Sequence, residues 1–235
     1  MNIIYSKIRR LDEKLIERFR HIAPSELGHA LEFGFMDPEI ELLDKSMKPH
    51  IVGQAITARI CPTDSTMVYK AMTYAKPGDV LVIDNHGEKR HACWGEMTTL
   101  TAKRFGIQAV IVDGPNTDTE EIIENQFPVY SKGQSNLTTK IRGFRGDVNV
   151  PVCCGGTVVC PGDLILADVN GILVIPYDFA EQMADLGELY VKYNEIDKAG
   201  FDNNLKLTEI MSFERKIKNM ENVIYADGEE SVYDG

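Results

Sequence analysis

Apolar residues recur at helical spacing in some segments of the chain and form nearly continuous runs in others. Residues 11–33 carry apolar side chains three and four positions apart, which predicts helices. Ser25 is expected to cap a second helix that ends at Glu32, with Gly34 closing it. Residues 51–60 (IVGQAITARI) are mostly apolar and predict a strand. The chain is therefore expected to pass from helix to sheet near residue 50.

Predicted helices and strands alternate through the middle of the chain. The helices cover residues 65–75, 95–105 and 119–125, and the strands cover residues 80–84, 109–113 and 127–130. This alternation is typical of an α/β sheet. After Pro151 the apolar runs are short and broken by Gly and Pro, which predicts an antiparallel or mixed portion. A helix is expected from Tyr177 to about Lys198, and the acidic residues 225–235 are expected to fray.

One short sequence occurs twice. Residues 77–84 (PGDVLVID) are matched by residues 161–168 (PGDLILAD). Pro presets φ, Gly accepts a positive φ and Asp caps a turn, so each copy predicts a tight turn that leads into a buried strand.

The composition excludes several classes of protein. The 235 residues are 43% hydrophobic and 26% charged, which argues against a disordered or fibrous chain. No run approaches the ~18 apolar residues of a membrane span. The net charge of −11 argues against non-specific nucleic-acid binding, which depends on basic side chains. Five cysteines, two of them adjacent, favour a reducing cytoplasm over a disulfide framework.

The segment that begins at Gly95 has the features of an anion site. It opens a predicted helix, and the first amides of a helix lack internal acceptors and point outward. Gly95 would let a ligand approach the backbone closely. The alternative is a plain helix start in which Glu96 favours the helix dipole.

Asp118 follows the predicted strand at residues 109–113 and precedes the next helix. Ligand sites of α/β sheets lie where strands end in loops. A carboxylate there is a hard oxygen ligand suited to Mg²⁺, which usually takes one or two carboxylates. The alternative is that Asp118 caps the helix that begins near Thr119.

Several collinear stretches resemble one known family. They are residues 53–58 (GQAITA), 76–84 (KPGDVLVID), 94–96 (WGE), 112–114 (VDG), 118 (D), 149–152 (NVPV), 155–156 (GG) and 161–163 (PGD). In these residues the chain resembles the regulator of ribonuclease E activity A-like proteins, which include 4-hydroxy-4-methyl-2-oxoglutarate aldolases. The resemblance covers about residues 25–185, most of the chain.

The resemblance implies an α/β fold, a swivelling-domain-like β/β/α sandwich with a mixed sheet. The single domain would span residues 25–185. Residues 1–24 would form an N-terminal helical extension, and residues 186–235 a helical and acidic tail. The family also implies homotrimers or homohexamers with the site between subunits.

The resemblance also implies a role for each site residue. The amides that follow Gly95, those of Met97 and Thr98, would hold the carboxylate of a pyruvate-like substrate. Asp118 would hold a divalent cation, Mg²⁺ or another such as Mn²⁺, and Glu96 would orient a metal-bound water.

The chain departs from the family pattern at Thr117. The family's aldolase signature has Arg immediately before the metal-binding Asp, and that Arg stabilises the enolate oxygen. Removing such a donor typically costs on the order of 100- to 1000-fold in rate. Arg90, Arg142 or Arg145 could supply the charge from a loop.

These features predict a cytoplasmic, metal-dependent lyase that releases pyruvate from a small 2-oxo acid, a 4-hydroxy-2-oxo acid or oxaloacetate. Thr117 leaves two alternatives open: a non-catalytic oligomeric binding or regulatory protein of the same fold, and a same-fold enzyme with an altered substrate. No nucleic-acid or membrane partner is expected. His86 and His91 are expected to be solvated loop residues, and no signature supports a Schiff base at Lys89 or Lys103.

Overall fold

A mixed sheet built around one ten-residue strand carries the fold. The computed structural model describes residues 2–211. The strands are β1 (Glu41–Leu42), β2 (Ile51–Ile60), β3 (Val80–Asp84), β4 (Ala109–Val112), β5 (Val129–Ser131), β6 (Gly146–Val148), β7 (Val152–Cys154), β8 (Thr157–Val159), β9 (Leu164–Asp168) and β10 (Gly171–Ile175). The helices are α1 (Glu13–Arg18), α2 (Pro24–Gly28), α3 (Thr66–Met72), α4 (Glu96–Phe105), α5 (Thr119–Glu124), α6 (Ala180–Asp202) and α7 (Leu207–Ile210). Short 3₁₀ helices cover Phe19–His21 and Tyr177–Phe179.

The sheet is parallel from β2 to β5, whereas β1, β6, β9 and β10 are antiparallel to their neighbours. Its strand order is β1-β5-β4-β3-β2-β9-β10, with β6 also paired to β2, while β7 and β8 form a separate hairpin. Strands β2, β3, β4 and β5 run parallel to one another. Strand β9 is antiparallel to β2, and β10 to β9. The carboxyl ends of β3 and β4 therefore lie at the same edge of the sheet.

Both faces of the central strands are buried, which explains their unbroken apolar runs. In β3, Leu81 and Ile83 belong to an apolar cluster that includes Met67 of α3, Ala102 of α4 and Ile122 of α5. The alternate residues of β3 belong to a second cluster, which takes in residues of β7, β8, β9 and β10. Helices thus cover one face, and the antiparallel strands cover the other.

The predictions for the amino-terminal region were partly wrong. Ser25 caps nothing, because Ala23 is the N-cap of α2 and Pro24 is its first residue. Proline is suited to that first position, since it presets φ and has no N–H to leave unpaired. Helix α2 ends at Gly28 and does not reach Glu32.

The repeated Pro-Gly-Asp sequence forms the same turn twice, as predicted. Gly78 and Gly162 both have φ of +95°. In each turn the aspartate carboxylate accepts a hydrogen bond at 2.7 Å from the backbone amide three residues earlier. Asp79 accepts from Lys76, and Asp163 accepts from Cys160. The two strands that follow nevertheless flank β2 in opposite directions. The turn is encoded locally, whereas the strand's partner is set by the rest of the fold.

The described residues form two compact units, one ending at Tyr190 and the other beginning at Val191. The sheet and the elements up to the first half of α6 belong to the first unit, and α7 belongs to the second. The predicted frayed segment, residues 225–235, lies outside the described residues. Among the described helices, none is long and apolar enough to cross a membrane.

Candidate active site

The predicted site residues meet at the edge where β3 and β4 end. After β3 the chain loops out and returns at Trp94, which pairs with Asn116 beyond the end of β4. The Thr117 amide donates to the Trp94 carbonyl oxygen at 2.9 Å. This pairing brings the start of α4 against the start of α5, so Gly95 and Asp118 become neighbours although they lie far apart in sequence.

Buried side chains fix both segments that meet at this junction, one at Trp94 and one at Asn116. The Trp94 ring stacks on Phe127, with centroids 6.2 Å apart, and its indole N–H donates to Thr99 Oγ1 at 2.9 Å. Asn116 is fully buried, and its Oδ1 accepts from the Ser131 hydroxyl at 2.8 Å. A satisfied buried polar group of this kind holds a loop in one conformation.

Asp118 caps α4 and makes no side-chain cap on its own helix. The Glu96 amide donates to Asp118 Oδ2 at 2.9 Å, and the Thr117 hydroxyl donates to Asp118 Oδ1 at 3.2 Å. Asp118 occupies the N-cap position of α5, but its side chain accepts no bond from that helix. Asp118 is therefore the N-cap residue of α5 by its backbone position, but its carboxylate caps α4 instead.

Two backbone features make this approach possible. A Cβ on Gly95 would overlap Asp118 Oδ2 and lie 2.8 Å from Thr117 Cγ2, so a larger residue there would force these two side chains to move. Asp118 has φ of 53°, a left-handed conformation that disfavours most side chains but is tolerated by Asp and Asn. Backbone strain of this kind concentrates at functional sites.

A cavity of about 380 Å³ opens beside this junction. Its lining residues are Ser65, Tyr69, Ala92, Cys93, Trp94, Gly95, Met97, Thr98, Thr117, Asp118, Thr138, Thr139, Lys140 and Ile141. Five of the six predicted site residues are among them. The sixth, Glu96, is half-buried and contributes its amide through the bond to Asp118, but it does not line the cavity.

The first turn of α4 presents two amides at this cavity. The Glu96 amide is occupied by Asp118, and the Gly95 amide donates to Thr98 Oγ1 at 2.9 Å. The Met97 and Thr98 amides have no acceptor within residues 2–211. They are therefore free to bind an anion, as amides at a helix start commonly do.

Another part of the cavity wall is a loop that we call the strap, residues 137–144. Its anchor is Asp64, a buried carboxylate that the sequence analysis did not single out. Asp64 accepts from the Thr66 hydroxyl at 2.5 Å and from the backbone amides of Thr66, Arg142 and Phe144 at 2.9, 3.1 and 2.5 Å. Burial alone would raise the pKa of Asp64, but these four donors lower it to about 2.

Backbone bonds fix the strap on both sides. The Lys140 amide donates to the Thr63 carbonyl at 3.1 Å, and the Ser65 amide donates to the Lys140 carbonyl at 3.0 Å. The Thr139 amide donates to the Ala92 carbonyl at 2.9 Å. The strap is thus held like an extra strand between two segments. The partners in these three bonds lie 47 to 77 residues away along the chain, so no local sequence pattern signals the strap.

The histidines and cysteines that the sequence offered as candidates have no reactive group at the cavity. His86 Nδ1 lies 3.5 Å from Asp84, and His91 Nδ1 lies 3.0 Å from Glu88, with neither histidine on the lining. Cys93 does line the cavity, but complete burial raises the pKa of its thiol to about 12, so it stays protonated. All five cysteines are free; two are buried, two are half-buried and Cys153 is exposed.

The arginines considered as substitutes for a missing cation are elsewhere. Arg90, Arg142 and Arg145 are exposed, and none is among the lining residues, which all belong to the described chain. Arg142 contributes only its amide, to Asp64, while its guanidinium lies 5.6 Å from the Phe144 ring centroid.

Asp118 fits a metal that is bound mainly by water and substrate. Within residues 2–211 no three His, Cys, Asp or Glu side chains are arranged to hold a metal ion together. An ionised carboxylate has about four acceptor positions, and Asp118 uses two of them. Mg²⁺ usually keeps several waters and takes one or two carboxylates. The exposed Asp118 carboxylate can therefore serve as a single protein ligand.

Comparisons with known proteins place the chain among relatives that share this fold. The family model RraA-like, described as Aldolase/RraA, matches residues 28–174. A protein of Halalkalibacterium halodurans, provisionally named 4-hydroxy-4-methyl-2-oxoglutarate aldolase, is 35% identical over 161 residues. That alignment covers 68% of this chain and 76% of the relative.

Two solved structures confirm the predicted α/β fold with its mixed sheet. Streptomyces coelicolor RraAS2, described as an unusual member of the RNase ES inhibitor RraA protein family, superposes with a TM-score of 0.71 at 24% identity. The match covers 81% of this chain and 99% of that one. The RNA-processing inhibitor RraA from Thermus thermophilis superposes with a TM-score of 0.58 at 26% identity, over 65% of this chain and 90% of that one.

Proposed function

Because the chain belongs to the RraA-like family, we propose that it is a cytoplasmic, divalent-metal-dependent lyase that releases pyruvate from a small 2-oxo acid. The substrate is a 4-hydroxy-2-oxo acid, cleaved in a retro-aldol reaction, or oxaloacetate, which is decarboxylated. In the retro-aldol reaction a base removes the proton of the 4-hydroxyl group and a second carbonyl compound leaves, whereas in decarboxylation CO₂ leaves. Both reactions break a carbon–carbon bond and leave the electron pair on the carbonyl oxygen of a pyruvate enolate, which is then protonated on carbon.

The observation that carries this proposal is the meeting of Asp118 with the first turn of α4 in one cavity. An anionic 2-oxo acid needs a partner for its carboxylate and a partner for the oxygen on which charge develops. The Met97 and Thr98 amides provide the first partner. A divalent cation held at Asp118 would supply Lewis-acid stabilisation of the second.

The remaining residues position these groups. The Thr117 hydroxyl donates to Asp118 and so orients its carboxylate. Gly95 keeps the space in which Asp118 approaches the start of α4. Glu96, whose amide already binds Asp118, is proposed to position a water next to the substrate.

We also propose a homo-oligomer, a trimer or a hexamer, that closes the site. Apolar side chains are exposed on the cavity and on the strap: Met97 (60% exposed), Leu137 (44%), Ile141 (68%) and Phe144 (48%). A neighbouring subunit would remove this apolar surface from water. Size-exclusion chromatography with light scattering should give a mass near a multiple of three protomers, and a monomer at micromolar concentration would contradict the proposal.

The function is tested by turnover of oxaloacetate and of 4-hydroxy-4-methyl-2-oxoglutarate to pyruvate, before and after treatment with EDTA. Uncatalysed decarboxylation at the same metal concentration is subtracted. Turnover that EDTA abolishes and Mg²⁺ restores is the expected result. Its absence on both substrates would favour the second candidate, a non-catalytic regulator, which the description of the Thermus thermophilis structure as an RNA-processing inhibitor supports.

A further inference from the structure

The cavity is lined by one acidic and one basic side chain. Asp118 is the acid, and Lys140, on the strap, is the base. Every other lining residue is neutral. The two charged side chains therefore belong to different segments of one cavity, which could take a cation at Asp118 and an anionic ligand at Lys140.

The backbone that carries Lys140 is fixed at close range. Its amide and its carbonyl oxygen are bonded to Thr63 and Ser65, and Asp64 binds the strap two and four residues further along. The Lys140 side chain is exposed, so its four-carbon stem extends from a fixed backbone position beside the cavity.

The ammonium of Lys140 is not committed to a carboxylate. Lys140 Nζ donates a hydrogen bond to Thr138 Oγ1 at 3.3 Å, and this hydroxyl is neutral. Among the ion pairs formed by residues 2–211, none involves Lys140, whereas the nearby Lys132 is paired with Asp113 at 2.9 Å. An unpaired cation on a cavity wall remains available to an anionic ligand.

We propose that Lys140 is the catalytic cation that stabilises the enolate oxygen of the substrate, an inference that rests on the proposed function. Thr117, the neighbour of Asp118, is neutral and uses its hydroxyl on Asp118. The negative charge that appears when the carbon–carbon bond breaks thus requires a positive side chain from another element. The strap provides it, and none of the arginines at positions 90, 142 and 145 lines the cavity.

The test compares Lys140→Met, Lys140→Arg and the control Lys89→Met, which changes an exposed lysine away from the cavity. With oxaloacetate and Mg²⁺, Lys140→Met should lower kcat by roughly 30-fold or more with little change in KM, because the lost interaction forms only as charge develops. Lys140→Arg should keep most of the activity, and Lys89→Met should match the unchanged protein. A rise in KM with an unchanged kcat would overturn the proposal.

A binding measurement separates this inference from the proposed function. Oxalate resembles the planar pyruvate enolate, so calorimetry with Mg²⁺ should show that Lys140→Met weakens oxalate binding by about tenfold and pyruvate binding much less. If the unchanged protein turns over neither substrate but oxalate binding depends on Lys140, the lyase function fails and the placement of the cation stands. If turnover is present and Lys140→Met changes neither kcat nor oxalate binding, the cation assignment fails and the lyase function stands.

A covalent role for Lys140 would also overturn the proposal. A Schiff base with pyruvate would require a neutral amine and would be trapped by borohydride. Mass spectrometry after reduction in the presence of pyruvate should therefore show no adduct on Lys140.

Discussion

Each wall of the cavity is fixed by an aspartate, but the two carboxylates use their acceptor positions differently. Asp64 is buried and accepts from the Thr66 hydroxyl and three backbone amides, which hold the strap. Asp118 is exposed and, within residues 2–211, accepts only from the Glu96 amide and the Thr117 hydroxyl. The acceptor positions of Asp64 are therefore all used within the protein, whereas Asp118 has acceptor positions left for a ligand.

This difference separates a structural from a functional carboxylate. A carboxylate with four donors has no free acceptor position, so it contributes rigidity and a low pKa. A carboxylate with two donors is oriented but still has lone pairs to share. The comparison therefore predicts that changes at Asp118 act on turnover, whereas changes at Asp64 act on stability.

The largest effect is expected from Asp118→Asn. Asn retains an acceptor for the Glu96 amide and tolerates the left-handed backbone, but it is a much poorer ligand for a divalent cation. We expect metal-dependent turnover to fall by about 1000-fold or more, with a thermal midpoint close to that of the unchanged protein. Steady-state kinetics with titrated Mg²⁺ and calorimetric melting measure the two quantities.

Glu120→Gln is the matched control for that variant, because Glu120 is an exposed acid two residues further on, in the first turn of α5. It should leave both turnover and melting unchanged. Full Mg²⁺-dependent turnover in Asp118→Asn would show that the metal ligand is another residue.

A smaller effect is expected from Gly95→Ala. The new methyl group would overlap Asp118 Oδ2 and crowd Thr117 Cγ2, so the carboxylate must move away from the start of α4. Overpacking of this kind costs about 1–3 kcal/mol of stability, and we expect a roughly 100-fold loss of turnover because a misplaced catalytic group is costly. Gly28→Ala is the control, since a Cβ there meets only ordinary contacts of 3.6 Å or more. Unchanged kinetics in Gly95→Ala would mean that the tight approach of Asp118 has no role.

The two halves of the wall around Gly95 and Asp118 could each be predicted from the sequence, because a helix start and a strand end are local features, while their joint role was implied by the family resemblance. Strands β3 and β4 are unbroken apolar runs, and their carboxyl ends must meet at one edge of a parallel sheet. The strap could not be predicted, because Asp64 binds amides of residues 142 and 144, which depend on how a long loop returns. Local sequence patterns predict turns and strand ends, while the path by which a long loop returns to the sheet depends on the whole fold.

The next effect is a pH dependence of stability that arises at Asp64. Its folded pKa of about 2 lies below the ordinary value of 3.8, so the carboxylate stabilises the fold fully above about pH 4. That contribution, about 2 kcal/mol, should be lost as the pH falls from about 4 to about 2. Asp64→Asn should lower the free energy of unfolding near neutral pH by a similar amount and remove this part of the pH dependence.

Urea unfolding at several pH values measures this contribution, with Glu124→Gln as the control because Glu124 is an exposed acid of α5. Equal slopes of stability against pH in Asp64→Asn and the unchanged protein would show that Asp64 does not hold the strap through its charge.

The smallest effect is expected from Thr117→Arg, which would add to the Asp118 wall the kind of charge that Lys140 supplies from the strap. Thr117 lines the cavity and its side chain already reaches Asp118 Oδ1. A guanidinium there would be planar and held near the metal ligand, whereas the Lys140 ammonium is a point charge on a flexible stem.

We expect Thr117→Arg to raise the rate of oxaloacetate decarboxylation by about tenfold, which is ~1.4 kcal/mol of barrier. In the Lys140→Met background the same change should give a larger relative gain, because the added arginine would then be the only cation on the cavity. Melting curves and Mg²⁺ binding should first establish that the variant is folded and still holds the metal.

If such a variant shows no gain in either background, the two walls do not act on the same developing charge, and a binding protein or an enzyme with another substrate explains the cavity better. If instead the gain appears with Lys140 present and vanishes without it, the two cations act together, and neither can replace the other.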